Sequence, residues 1–207
     1  MSSNNTKSIK NIIFDVNDVL TMHRNGKEWS NTVLAEESGV SLQTVKDFFT
    51  EYIAAGRETF GLSLEDFWPK KTINTETITL ATIKSSAQRY DEDIIVNSEM
   101  VEILKKLKPR YRLFALTNAW KPGHAFKNSL ERHFEAFVQS CDINLLKPDP
   151  AAFQYMLTTY NLLPEETLFI DNRIENVTAA RTIGIHAFQF TTVDSFTDNL
   201  REFNIQF

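Results

Sequence analysis

Cysteine is almost missing from this chain: Cys141 is the only one in 207 residues. That excludes an internal disulfide and any zinc or iron–sulfur site built on several thiolates, and a reducing, cytoplasmic setting is the simplest expectation. Glycine is scarce as well. Its six copies form neither Gly-x-x-x-x-Gly-Lys-Ser/Thr nor Gly-x-Gly-x-x-Gly, so P-loop nucleotide hydrolysis and dinucleotide redox chemistry both fall away. No Gly-x-Ser-x-Gly elbow occurs either. The four histidines, His23, His124, His133 and His186, are scattered, with none at the spacing of a metal-binding pair. Apolar runs are only a few residues long and the first residues are polar, so neither a signal peptide nor a membrane partner is expected. The net charge of -5 comes from 27 acidic and 22 basic side chains spread along the chain. No basic funnel for nucleic acid emerges from that distribution. The sixteen phenylalanines read as core filling, because no basic residues interleave with them.

What is present is enough apolar material, 42% of the residues, for one α/β domain or a core carrying a small inserted domain. Ile9, Ile12, Ile13 and Phe14 form a short apolar segment that stops at Asp15, as a buried strand does when it delivers a polar residue at its carboxyl end. From Thr21 onward the pattern turns helical. Val45, Phe48, Phe49, Tyr52 and Ile53 recur at three- and four-residue spacing, with Ser41 as N-cap and Gly56 as stop. Two more helices are expected, one from near Ser63 and one through Ile78, Ala81, Ile83 and Ala87, with no convincing strand in the segment. After Asn97, strands and helices alternate: a helix to Pro109, a strand over Arg112 to Leu116, a helix to about Phe134 and a strand over Ala136 to Ser140. A helix opened by Asp149-Pro150 follows, then a strand over Leu168 to Ile170, a helix closed by Gly184, a strand over His186 to Phe190 and a last helix to Phe203. This rhythm predicts an α/β fold with a doubly wound parallel sheet. Residues 1–20 and 97–207 would build it, interrupted by a helical insertion over 21–96.

In such a sheet, ligands bind outside the carboxyl ends of the strands, where the strand order reverses. Three predicted strands end there in polar groups: Asp15-Val16-Asn17-Asp18, Thr117-Asn118 and Asp171-Asn172. Any one of these is an ordinary strand exit; the convergence of all three is the signal. Lys147-Pro148-Asp149-Pro150 follows closely on the next predicted strand and its turn.

Together these segments resemble the haloacid dehalogenase superfamily, specifically members with a helical cap inserted after the first motif. Ile-Ile-Phe-Asp15-Val-Asn17-Asp-Val-Leu is similar to the first motif and Leu-Thr117-Asn118 to the second. Lys147-Pro148-Asp149-Pro150 is similar to the third, and Phe-Ile-Asp171-Asn172-Arg-Ile-Glu-Asn176 to the fourth. Order and spacing agree over nearly the whole chain. The resemblance implies a Rossmann-like core in which Asp15 attacks an electrophilic centre, usually phosphorus, forming a covalent intermediate that water hydrolyses. A carboxylate needs no separate base for this, being ionised at neutral pH. Thr117 would hydrogen-bond the transferring group, Asn118 would help orient the site, and Lys147 would offset the substrate's charge and that of the transition state. Mg²⁺ would be held by Asp15, Asn17, Asp171 and Asn172. His23 and Arg24, at the hinge to the cap, and Trp120, just past the second motif, could touch the substrate, a small phosphorylated molecule. The active site is expected between core and cap, with cap closure excluding water.

Two positions depart from the family pattern. Asn17 stands where its phosphatases usually carry a second aspartate that moves the leaving-group proton, and an amide cannot do that. Asn172 stands where an acidic Mg²⁺ ligand is usual, so metal affinity should fall. Three readings accommodate these changes: a weak Mg²⁺-dependent phosphatase in which Asp18 or water moves the proton, a metal-free haloacid-type hydrolase acting at carbon, or a protein that binds a phosphorylated ligand without turnover. The first is the leading expectation.

Overall fold

The computed structural model describes residues 8–24, 31–58, 64–71, 79–119 and 126–207. Contacts divide the chain into two compact units, one of them made from the chain up to Thr21, Val96–Ala119 and everything from Gly123, the other built on Met22–Ile95.

The first unit is organised by a five-stranded sheet of β1 (Asn11–Phe14), β4 (Arg112–Thr117), β5 (Ala136–Gln139), β6 (Thr167–Asp171) and β7 (His186–Gln189). Its order is β5-β4-β1-β6-β7, and every pairing is parallel. The chain therefore winds outward from β1 to β5 on one side, then crosses back to β6 on the other, which makes β1 the switch point of the doubly wound sheet. Strand alternation sorts the apolar residues to two faces. Ile12, Phe14, Leu113, Ala115, Leu168 and Ile170 pack with Met100 and Leu104 of α5 (Ser98–Leu107) and with Phe196 and Leu200 of α10 (Val193–Glu202). Ile13, Phe114, Leu116 and Phe169 face the other way, onto Phe153 and Met156 of α8 (Pro150–Thr159) and Val177 and Ala180 of α9 (Ile174–Thr182). Helix, sheet and helix layers follow directly from that alternation.

The helix ends are chemically explicit. Asn97 Oδ1 accepts the Glu99 and Met100 amides to open α5. Asp149 Oδ1 accepts the Ala151 amide, with Pro150 in the first turn, to open α8. Gly184, at φ +86°, turns the chain out of α9 and into β7, a conformation that favours glycine.

The second unit contains α1 (Asn31–Ser38), α2 (Leu42–Glu58), α3 (Leu64–Phe67) and α4 (Leu80–Asp93). Its core is Leu34, Ala35, Val45, Phe48, Phe67 and Ile83, with Phe48 stacked against Tyr52 and edge-on to Phe67. Ser41 Oγ accepts the Thr44 amide, the expected cap of α2. Three expectations need correction. Gly56 does not stop α2, which runs on to Glu58 with the glycine buried inside it; a mid-helix glycine costs only about 1 kcal/mol, too little by itself to end a helix. A short two-stranded sheet of β2 (Thr21–His23) and β3 (Ile94–Val96) stands where no strand was expected, because three residues are too few for alternation to register. Ser140 opens a one-turn helix, α7 (Ser140–Ile143), rather than ending β5. Ser63 and Ile78 lie outside the described residues.

Candidate active site

β1 ends at Phe14 and hands Asp15 to the carboxyl edge, where the Asp15 amide still donates to the Ile170 carbonyl at 2.8 Å, as if the ladder continued one residue. The loop then closes on itself. The Leu20 and Thr21 amides both donate to the Val16 carbonyl, and Thr21 Oγ1 donates to it as well while accepting the Asp18 amide. Asp18 sits in the left-handed region at φ +58°, which aspartate tolerates better than most residues. Asn17 is thus carried on a short, internally tied turn, half-buried, two residues after Asp15.

Three charged side chains meet at this edge. Lys147 Nζ lies 2.7 Å from Asp15 Oδ1 and 2.8 Å from Asp171 Oδ2, and all three residues are buried. Asp171, at the end of β6, is fully enclosed. Its Oδ1 accepts the Arg173 amide at 2.8 Å and its Oδ2 accepts Asn176 Nδ2 at 2.9 Å, so the carboxylate is held by three N–H donors. Such a network keeps Asp171 in one orientation.

Asp15 is the titrating group of this edge that burial perturbs most. Burial pushes its carboxyl from 3.8 up to about 6; Lys147 pulls it down, the neighbouring Asp171 raises it, and the Val16 amide lowers it. The group remains ionised at neutral pH, yet it is far more basic than a solvated aspartate.

Lys147 is placed through its backbone. Asn118 Nδ2 donates to the Lys147 carbonyl at 2.8 Å, and Asn118 Oδ1 accepts the Lys147 amide at 3.0 Å. Asn118, just past β4, therefore acts as a clasp, with both ends of its amide engaged. Thr117, the last residue of β4, is completely buried, and its hydroxyl has no hydrogen-bond partner among the described residues. Asn172 is half-buried, and its carbonyl accepts Gln189 Nε2 at 2.8 Å. His23 is buried at the end of β2 and Arg24 is exposed in the turn after it, both within the second unit. Trp120 lies outside the described residues.

Two residues that the motif reading did not assign help to build this edge. Asn176 orients Asp171; its place five residues after a strand-end aspartate, inside a helix, was the available signal. Ser140 donates to the Ala119 carbonyl and accepts the Ala119 amide, both at 2.8 Å, anchoring the loop that follows Thr117-Asn118. A serine after a strand carries no such message in sequence.

Residues 9–184 match the haloacid dehalogenase-like hydrolase family. The chain belongs to that family. Among curated relatives, mouse bifunctional epoxide hydrolase 2 is 26% identical over 98 residues, which is 44% of this chain and 18% of that protein. D-ribitol-5-phosphate phosphatase of Bacteroides thetaiotaomicron is 23% identical over 103 residues, 45% of this chain and 50% of the relative. The chain thus aligns with half or less of the length of these relatives. Among solved structures, a haloacid dehalogenase family enzyme from Bacteroides thetaiotaomicron, crystallised with magnesium and inorganic phosphate, superposes with a TM-score of 0.68 at 19% identity, covering 94% of this chain and all of that one. This haloacid dehalogenase-like hydrolase has the parallel core of its family, with Asp15 at the first strand tip.

Proposed function

We propose that this hydrolase is a phosphatase that uses Asp15 to take the phosphoryl group from a small phosphorylated molecule. The observation that carries this reading is the buried Asp15–Lys147–Asp171 cluster at the switch point of the sheet. It combines a basic carboxylate with a fixed cation, where an anionic group would otherwise be repelled. The phosphatase among its relatives, and the fold shared with an enzyme crystallised with phosphate, support the same chemistry.

In this reading the Asp15 oxygen not held by Lys147 attacks phosphorus. The Thr117 hydroxyl, buried and without a hydrogen-bond partner among the described residues, supplies a hydrogen bond to a phosphoryl oxygen. Lys147 offsets the charge of the incoming phosphate, and Asn118 keeps Lys147 in register. Among the described residues no group of three or more His, Cys, Asp or Glu side chains comes together as a cation site. The edge offers the carboxylates of Asp15 and Asp171 with the oxygens of Asn17 and Asn172, a set of oxygen donors carrying two charges. That set suits Mg²⁺, which keeps several waters and needs only one or two carboxylates, bound weakly. When bound, the ion would neutralise phosphoryl oxygens. We assign the helical unit as the cap that selects the substrate. Among the described residues no helix is long and apolar enough to cross a membrane.

The test is release of phosphate from an aryl phosphate, with and without millimolar Mg²⁺, by the wild type and by Asp15→Asn. Metal-stimulated release that is lost in Asp15→Asn establishes the activity and the nucleophile. Equal turnover by the variant would remove Asp15 from the mechanism.

A further inference from the structure

Breaking a phosphate ester leaves an oxygen that must depart either as an anion or with a proton. Among the described residues, the carboxyl edge of the α/β unit contains few groups that could give that proton. Asp15 is the attacking group. Asp171 accepts N–H donors from Arg173, Asn176 and Lys147, so both of its oxygens are already committed as acceptors. Lys147 is the cation between two carboxylates, and a proton given to the leaving group would leave them facing each other unshielded. Of the other side chains there, Asn17, Asn118 and Asn172 are amides and Thr117 is a hydroxyl, none of which releases a proton near neutral pH. Asp18, on the turn after the nucleophile, is the remaining carboxyl there among the described residues, and the Asp18→Asn variant tests it. The histidines of this unit that are described sit at the opposite edge, His186 opening β7 and His133 ahead of β5.

We propose that this site takes phosphoryl donors whose leaving oxygen departs as a stable anion, namely carboxylic–phosphoric anhydrides and aryl phosphates, and discriminates against alkyl phosphates. The inference rests on the phosphatase reading above and names its substrate class. In the first step the Asp15 carboxylate forms a bond to phosphorus, and the bond from phosphorus to the leaving oxygen breaks. Its electron pair stays on that oxygen, which leaves as a carboxylate or phenolate. In the second step water adds to phosphorus, the bond to Asp15 breaks with its pair returning to the carboxylate, and both hydrogens of the water leave with the product as dihydrogen phosphate. Neither step asks the protein for a proton. A positioned general acid contributes roughly 10²–10⁴-fold, and alkyl phosphates, which depend on one, are disfavoured by a factor of that order.

The experiment measures kcat/KM of the full chain with Mg²⁺ across acetyl phosphate, a series of para-substituted phenyl phosphates and ethyl phosphate. The expected result is a steep rise as the leaving group becomes more acidic, with ethyl phosphate at least ~10²-fold below nitrophenyl phosphate. Asn17→Asp, which places a carboxyl on the turn after the nucleophile, flattens the dependence by raising the poorest substrates most. Asp18→Asn leaves the slope as it is. A flat dependence in the wild type, or a slope that steepens in Asp18→Asn, overturns this inference and leaves the phosphatase intact. No phosphate released from any of the substrates overturns both.

Discussion

Asn118 grips Lys147 by its backbone, giving a hydrogen bond to its carbonyl and taking one from its amide. The cation at the centre of the site is thus set by a residue on a different strand exit. Asn118→Ala removes both bonds and exposes two backbone groups to an incomplete site. The expected cost is roughly 1–3 kcal/mol of stability, read by urea denaturation. A fall in kcat larger than any change in KM should accompany it, because Lys147 is displaced. Unchanged kcat would mean that Lys147 holds its position without the clasp.

Lys147→Met leaves Asp15 and Asp171 buried together with no cation between them. Breaking a buried pair in this way costs roughly 3–5 kcal/mol. The loss should shrink toward pH 5, where the Asp15 carboxyl, raised to about 6, can take up a proton. Denaturation midpoints at pH 7.5 and pH 5 check both statements; an equal loss at the two values would show that carboxylate repulsion is not the cause.

As the proposed nucleophile, the Asp15 carboxyl, raised to about 6 by burial, must be ionised to attack. Log kcat/KM should therefore rise with unit slope below pH 6 and level off above it. The same shift has a stability sign. Folding raises this group's affinity for its proton, so its favourable contribution is complete below its ordinary 3.8 and is lost as pH rises through about 6. Asp15→Asn, which keeps an oxygen for Lys147, should therefore melt a few degrees above the wild type at pH 7.5, with the difference fading toward pH 4. A melting gain independent of pH would contradict the assignment.

Ser140 touches none of the charged groups, yet its hydroxyl makes two 2.8 Å bonds to Ala119. Ser140→Ala should cost roughly 1–3 kcal/mol and lower activity by loosening the loop that carries Thr117 and Asn118. Ser140→Thr, which restores the hydroxyl, should recover more of the activity than Ser140→Val of similar size. Equal behaviour of Thr and Val would assign the effect to packing alone.

The parallel sheet was legible in sequence because strand alternation and helix caps are local. Ile12, Ile13 and Phe14 are all apolar since both faces of β1 are covered, and Asn97, Asp149 and Gly184 mark helix ends by chemistry within a few residues. Helix α1 escaped notice because Leu34 and Ala35 are adjacent rather than three or four apart, and β2 and β3 because three residues show no period. Within the site, Asp15, Thr117, Asn118, Lys147 and Asp171 stood out as strand-exit and turn residues. Ser140 did not, as its partner Ala119 is a loop residue 21 positions away; Asn176 did not either, although Asp171 lies only five residues before it.

By itself the sequence determined which groups stand at the strand tips and what charge they carry: Asp15, Asp171 and Lys147 as ions, Asn17 and Asn172 as neutral amides. Only the tertiary structure decided that Lys147 lies between the two aspartates, that Asn118 is committed to the backbone of Lys147, and that Asp15 is basic while Asp171 is saturated with donors. The reason is physical. Residue identity sets charge and proton inventory, whereas desolvation, ion pairing and hydrogen-bond direction depend on distances through space. The strand order β5-β4-β1-β6-β7 creates those distances when it brings separated parts of the chain to one edge.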